Sequence, residues 1–268
     1  MKIKEIKDII GKKRLKKSLG QSLLIDENIA RKMVDTLKPE GATVLEIGPG
    51  LGIISEKLVE KSKKVIAVEI DKFFCDFLKE KFNNIVLLCE DFLKINPTKF
   101  NITHIIGSLP YRGSKKMLLK VIMEFKGLER GVFLLQKDVA DGILSKPGSK
   151  NYSPLTIVYN IFSKSARVAN VKKFAFFPRP NVDSSILLVS FRKTPIFPVS
   201  REFFDFLWTI FKTRRKTIYN NLRGFLALQR SDLLNKRAEE LTPEEIFKIY
   251  KGLKDERILR NLHRIKER

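Results

Sequence analysis

The sequence predicts an α/β protein: a parallel sheet with crossover helices, followed by a small all-helical C-terminal domain. Three observations carry this. Short β-branched runs alternate with amphipathic segments from Thr43 to Leu144, the first run ends in a glycine-rich turn, and no convincing strand pattern remains after Phe197.

The elements follow in order. "DENIARKMVDTLKP" opens on Asp26, a good N-cap, spaces Ile29, Met33 and Leu37 four apart, and stops at Pro39, which predicts an amphipathic helix. "ATVLEIG" predicts a buried strand, "GLGIISEKLVEKS" a helix, "KVIAVEI" a strand and "DKFFCDFLKEKF" a helix. "NIVLLCED" and "ITHIIGSL" predict the third and fourth strands, "KKMLLKVIMEF" a helix, "RGVFLLQ" a fifth strand and "KDVADGIL" a helix. "SKPGSKNYS" reads as a flexible loop, "LTIVYNIFS" fits strand or helix, and "SSILLVSF" is strand-like. Beyond "KTPIFPVS", "REFFDFLWTIFKTRRKTIYNNL" and "TPEEIFKIYKGL" are helical, the second opened by a Thr242/Glu245 capping box with Pro243 at its first position. The expected division is a basic arm over 1–17, a sheet domain over 18–193 and a helical domain over 194–268.

Lys and Arg number 53 against 30 Asp and Glu, a net charge of +23, which suggests a polyanionic partner such as nucleic acid or an anionic membrane surface. The excess divides as +16 before Thr194 and +7 from it, so composition assigns that partner to neither domain. His104 and His263 are the only histidines, which argues against His-based metal sites and Ser-His-Asp triads, and no metal site is expected. Cys75 and Cys89 lack the pattern of a disulfide framework or a zinc site and are expected to be inert core thiols in a reducing cytosol. "MKIKEIKDIIGKKRLKKS" lacks the apolar stretch of a secretory signal, and no run approaches the roughly 18 apolar residues of a membrane span. A soluble cytoplasmic monomer is the expectation.

The candidate chemistry lies at successive strand tips. In "VLEIGPGLG" a strand ending in Glu46 turns at Gly48, Gly50 and Gly52, where glycine lets a ligand approach the backbone. The third glycine comes one residue too early for the dinucleotide fingerprint G-x-G-x-x-G. Glu69, 21 residues beyond Gly48, is placed to accept two ribose hydroxyls, while Asp71 is better suited to cap the next helix. Asp91, in "LLCEDF", is placed to accept from the exocyclic amine of an adenine, with Phe92 beside it. The fourth tip, "IIGSLPYRG", combines the Ser108 hydroxyl, the Leu109 carbonyl, Pro110 and the Tyr111 ring, a group suited to a flat, amine-bearing base. A tight turn without ligand is the alternative at Gly48, and core packing the alternative at Tyr111.

"EIGPGLG", "VEID", "CEDF" and "SLPY" resemble the motifs of class I methyltransferases that use S-adenosylmethionine and modify exocyclic amines. "KKSLGQSLLID", "LLQKDVA", "FAFFPRPNVDSSILLV" and "FKTRRKTIYNNL" are similar, in order and spacing, to segments of the KsgA family of small-subunit rRNA adenine N6,N6-dimethyltransferases. The resemblance implies a Rossmann-like methyltransferase sheet and dimethylation of two adjacent adenosines near the 3′ end of small-subunit rRNA in an assembling subunit. It also implies cofactor contacts at Ser22, Leu24, Gly48, Gly50, Glu69, Asp91 and Ser108, and a second base-facing ring at Phe176, opposite Tyr111, where core packing is again the alternative. Ser22 and Ser108 stand where the family usually carries Asn, which motivates a second expectation: an RNA-binding assembly or transcription factor with little methyl transfer. A nicotinamide oxidoreductase is disfavoured by the glycine spacing and the charge.

An adenine amine is a poor nucleophile because its lone pair is delocalised into the ring. Acceptors at Ser108 Oγ and the Leu109 carbonyl would bind its hydrogens, favour a pyramidal nitrogen and aim the lone pair at the methyl donor, catalysis being mostly positioning. In the last domain, a continuous helix over "FFDFLWTIFKTRRKTIYNNL" would align Leu207, Phe211, Ile218 and Leu222 in one stripe with Arg214 near it. Lys212, Arg215 and Lys216 are then the candidates for RNA phosphates, a merely solvated face being the alternative.

Overall fold

The computed structural model describes residues 6, 22–223 and 232–255. The expected basic arm lies outside these apart from Ile6, which is buried. Cα packing divides the chain into one unit of 1–140 and 164–193 and another of 141–163 and 194–268. The segment 141–163 therefore groups with the C-terminal helices, a difference from a single cut at Thr194.

The first unit is built as the alternation predicts. Helix α1 (Glu27–Leu37) starts at Asp26, whose Oδ1 accepts from the Asn28 and Ile29 amides at 2.9 and 3.2 Å. Its apolar face, with Ala30, Met33, Val34 and Leu37, is fully buried. Strand β2 (Thr43–Ile47), α2 (Ile53–Lys61), β3 (Lys64–Val68), α3 (Lys72–Lys81) and β4 (Ile85–Leu88) follow, then β5 (His104–Ser108), α4 (Ser114–Glu124), β6 (Arg130–Gln136) and α5 (Lys137–Ile143). With β7 (Ser163–Val171) and β9 (Ser184–Phe191) the strands form a seven-stranded sheet in the order β4-β3-β2-β5-β6-β9-β7. The strands from β4 to β6 are parallel, and β9 is antiparallel to β6. The chain leaves β2 toward β3 and β4, then returns to β2's other side as β5. That reversal opens a crevice at the carboxyl ends of β2 and β5, where ligands bind in open α/β sheets.

Three features here differ from the sequence reading. The strand β7 was not anticipated: its sequence "SKSARVANV" lies at the end of the sheet and is mostly only part-buried, so it shows no clear apolar alternation. A two-stranded pair, β1 (Leu23–Leu24) with β8 (Phe176–Phe177), was also missed, being too short for any period to register. Cys75 and Cys89 are not free thiols: the path from α3 into β4 returns the chain so that their Cα atoms lie 5.9 Å apart and the sulfurs pair. The "SKPGSKNYS" segment is a loop, as expected, with turns in which Ser149 N donates to Lys146 O and Tyr152 N to Ser149 O.

In the second unit, the ambiguous "LTIVYNIFS" is helix α6 (Pro154–Phe162), opened by Pro154 and a Ser153/Thr156 capping box. Helix α7 (Arg201–Ile210) buries Phe203, Phe206, Leu207 and Ile210. It stops at Phe211, so the continuous helix expected through Leu222 is in fact α7, a turn over 211–217, and α8 (Ile218–Leu222). Thr217 explains the break: its hydroxyl accepts from the Asn220 amide, an N-cap that starts a new helix. Helix α9 (Pro243–Asp255) has the predicted capping box, Thr242 N to Glu245 Oε2 at 2.8 Å and Glu245 N to Thr242 Oγ1 at 3.2 Å. No described helix is long and apolar enough to cross a membrane.

Candidate active site

A cavity of about 260 Å3 lies at the crevice of the sheet. It brings together Ser22, Gly48, Gly50, Glu69, Asp91, Ser108 and Pro110, contributed by the segment before β1 and by four strand tips. Leu24 lines a smaller recess that shares Ser22, Gly48, Gly50 and Ser108 with it.

The polar lining is held by the backbone. After β2 the chain turns through Gly48 and Gly50 at φ 66° and 55°, a region glycine enters without strain. Gly48 N donates to Val68 O at 2.9 Å, tying the turn to β3. Glu69, only 5 % exposed, spans the two tips: its Oε2 accepts from Gly50 N at 3.1 Å and its Oε1 from Asp71 N at 2.9 Å. Burial pushes its pKa up while these two amides pull it down. Each carboxylate oxygen has lone-pair capacity for a further donor, which fits a ribose diol. Asp71 caps α3 by accepting from Phe73 N, the role its position suggested. Asp91 Oδ1 accepts from Leu93 N at 2.9 Å, so a local turn orients its carboxylate.

Glu46, one strand from Glu69, is a different buried carboxylate. It is 1 % exposed, its Oε2 accepts from Ser55 Oγ at 2.5 Å, and its Oε1 has no partner among the described residues. Burial pushes its pKa up to about 7, against the Ser55 hydrogen bond and with the help of the Glu69 charge.

At the fourth tip Ser108 is half-buried and Leu109 is buried, its N–H donating to Leu134 O at 3.0 Å, which fixes the Ser108–Leu109 peptide. Tyr111 is half-buried, and its hydroxyl lies 3.2 Å from Ser184 Oγ on β9. Burial raises the Tyr111 pKa, keeping it a neutral phenol. Leu109 and Tyr111 flank the cavity in sequence without lining it, whereas Phe176 is 4 % exposed and packs in the apolar core with Leu24. Phe176 thus occupies the core-packing position that is the alternative to a base-facing ring.

Sequence reasoning passed over Ile70 and Arg112, which also line the cavity. Ile70 is 53 % exposed directly after Glu69, an apolar wall suited to one face of a flat ring. The signal was its position at an already suspected strand tip. The cavity's dimensions, the amide-anchored carboxylate and the apolar wall together fit the adenosine part of S-adenosylmethionine.

The cationic candidates Lys212, Arg215 and Lys216 all lie exposed in the 211–217 turn of the second unit. Arg214 is engaged: its Nε donates to Glu239 Oε2 at 2.7 Å and its Nη1 to Lys150 O at 2.6 Å. The turn itself is held by Asn221, whose Nδ2 donates to Ile210 O and Thr213 O at 2.9 and 3.1 Å.

Residues 12–255 match the family model described as ribosomal RNA adenine dimethylase. Two curated relatives are each named ribosomal RNA small subunit methyltransferase A. The one from Mycoplasma mobile is 36 % identical over 89 % of this chain and 96 % of its own length. The one from Thermotoga maritima is 38 % identical over 88 % and 85 %. Among solved structures, a dimethyladenosine transferase from Plasmodium falciparum superposes with a TM-score of 0.76 at 24 % identity, covering 87 % of this chain and 98 % of that one. The 23S rRNA methyltransferase ErmE gives 0.65 at 22 % identity, covering 87 % and 99 %. Both structural likenesses concern the fold.

Proposed function

The chain belongs to the ribosomal RNA adenine dimethylase family, and from that premise we propose that it dimethylates N6 of two adjacent adenosines near the 3′ end of small-subunit rRNA. It uses S-adenosylmethionine and acts as a cytoplasmic monomer on an assembling subunit. The observation that carries this reading is the convergence of Glu69, Asp91 and Ser108 on one cavity at the switch point of the sheet. The relatives' names do not favour the assembly-factor alternative.

Glu69 accepts the ribose hydroxyls, Asp91 accepts from the cofactor's adenine amine, and Gly48 and Gly50 leave backbone room for the methionine end, bordered by Ser22 and Leu24. When bound, S-adenosylmethionine supplies an electrophilic methyl group on a sulfonium. Ser108 Oγ and the Leu109 carbonyl accept the hydrogens of the target amine and orient its lone pair. Pro110 restricts Leu109 to extended backbone, which limits the directions that carbonyl can take. Tyr111, its hydroxyl anchored on Ser184, presents its ring to the target base. No ionisable base touches the amine in this scheme: the carbon–sulfur bond breaks as the carbon–nitrogen bond forms, the methylated nitrogen then gives its proton to water, and the rate depends on positioning. Lys212, Arg215 and Lys216 contact RNA phosphates.

The test incubates the protein with labelled S-adenosylmethionine and unmethylated small subunits, then digests the RNA. Labelled dimethyladenosine is the expected product; binding of subunits without label transfer would refute the assignment.

A further inference from the structure

Phe174 is 64 % exposed, which for a lone apolar side chain would need no explanation. Its setting does. It occupies the middle of a single 3-10 turn, Lys173–Ala175, whose backbone is fixed on three sides. Ala175 N donates to Lys172 O at 3.0 Å, Ala175 O accepts from Ile25 N at 2.9 Å, and Lys173 N donates to Asp183 Oδ1 at 3.1 Å. The ring is thus presented to solvent by an immobilised backbone, so little ordering entropy is lost when a ligand covers it.

The turn is also tied to the target-base motif. Asp183, which holds the Lys173 amide, immediately precedes Ser184, whose hydroxyl meets Tyr111. Three cationic residues are exposed on this segment. Lys172 is paired with Asp183 at 3.1 Å, while Lys173 and Arg179 flank the ring in sequence. An exposed aromatic with exposed cations close along the chain suits single-stranded nucleic acid, the ring taking a base and the cations its phosphates. Val182, 46 % exposed, is the one other exposed large apolar residue of the segment, too little surface for a protein partner's apolar core.

We propose that Phe174 is a stacking platform for a nucleobase flanking the target adenosine, with Lys173 and Arg179 at the neighbouring phosphates. The proposal rests on the reading of the chain as an RNA adenine methyltransferase and adds to it a contact outside the target-base site.

Equilibrium binding to unmethylated small subunits and label transfer are measured side by side for the wild type, Phe174→Ala, Phe174→Leu and Phe174→Trp. Base stacking on an aromatic predicts that Ala and Leu weaken binding and raise KM for subunits roughly ten-fold, that Trp retains both, and that kcat and cofactor affinity stay within about two-fold. Unchanged cofactor affinity also shows that the variants are folded. Lys173→Ala with Arg179→Ala is expected to reduce the log–log salt slope of binding by about 1 to 2. Wild-type binding by Phe174→Ala, or full retention by Phe174→Leu, would overturn the platform. So would a concentration-dependent dimer abolished by Phe174→Ala, which would assign the ring to a second copy of the chain. A wild-type protein that binds subunits without transferring methyl would instead refute the enzymatic reading, and the binding arm alone would still decide the platform.

Discussion

The cavity at the sheet edge and the 211–217 turn both present polar groups suited to a nucleotide, yet they are built in opposite ways. In the cavity the carboxylate of Glu69 is nearly inaccessible and both its oxygens are held by backbone amides. In the turn, Asn221 fixes the backbone but Lys212, Arg215 and Lys216 extend into solvent. A buried, anchored group recognises one geometry, because an unmatched partner leaves it unsatisfied. An exposed flexible cation recognises charge alone, and salt screens it. Specificity should therefore reside in the first region and salt-dependent affinity in the second.

The sharpest way to break this contrast is Glu69→Ala. It removes the acceptors for two hydroxyls and leaves Gly50 N without its partner, so cofactor affinity should fall by about 2 to 4 kcal/mol, roughly 30- to 1000-fold, in calorimetric titration. Unchanged affinity in a folded variant would remove Glu69 from the site.

Glu46 separates burial with backbone anchors from burial without them. Its carboxyl ordinarily titrates at 4.5 and here at about 7. As pH rises past 4.5 the unfolded chain loses this proton while the folded protein keeps it, so stability declines up to about pH 7 and then levels off. The displacement corresponds to about 3 kcal/mol at most. Glu46→Gln, which can still accept from Ser55, should therefore gain stability relative to the parent between pH 5 and 7, read from urea midpoints at each pH. Parallel curves would show that Glu46 ionises normally.

Ser108 tests the amine end of the cavity. Ser108→Ala should lower the single-turnover methylation rate roughly ten-fold or more, as one transition-state hydrogen bond of about 1.5 to 3 kcal/mol requires. Ser108→Asn should keep or raise it, an amide oxygen being a less mobile acceptor than a hydroxyl. Equal rates for Ser and Ala would leave the work to the Leu109 carbonyl and the Tyr111 ring.

The smallest effect belongs to the exposed turn. Arg215→Ala with Lys216→Ala should flatten the log–log salt dependence of RNA binding by about 1 to 2 while leaving cofactor affinity unchanged. A parent slope near zero would reject a phosphate-contact role for the whole cluster.

Much of this architecture is local and therefore readable along the chain. The βα alternation, the Asp26 cap, the Thr242/Glu245 capping box and the acidic and hydroxyl residues at strand tips are set by short-range chemistry and by period. The cavity follows from them, because parallel strands in one sheet bring their carboxyl ends together. Other features depended on contacts distant in sequence. Strand β7 exists because the sheet accepts it, although its own pattern is polar. Phe176 is buried by its pairing with Leu24, while Phe174, two residues away, is left outside by the same turn. Cys75 and Cys89 meet only because α3 returns the chain to β4. Sequence determines which residues carry the chemistry; burial and pairing decide which of their faces and atoms remain available to a ligand, because both depend on neighbours that local pattern does not name.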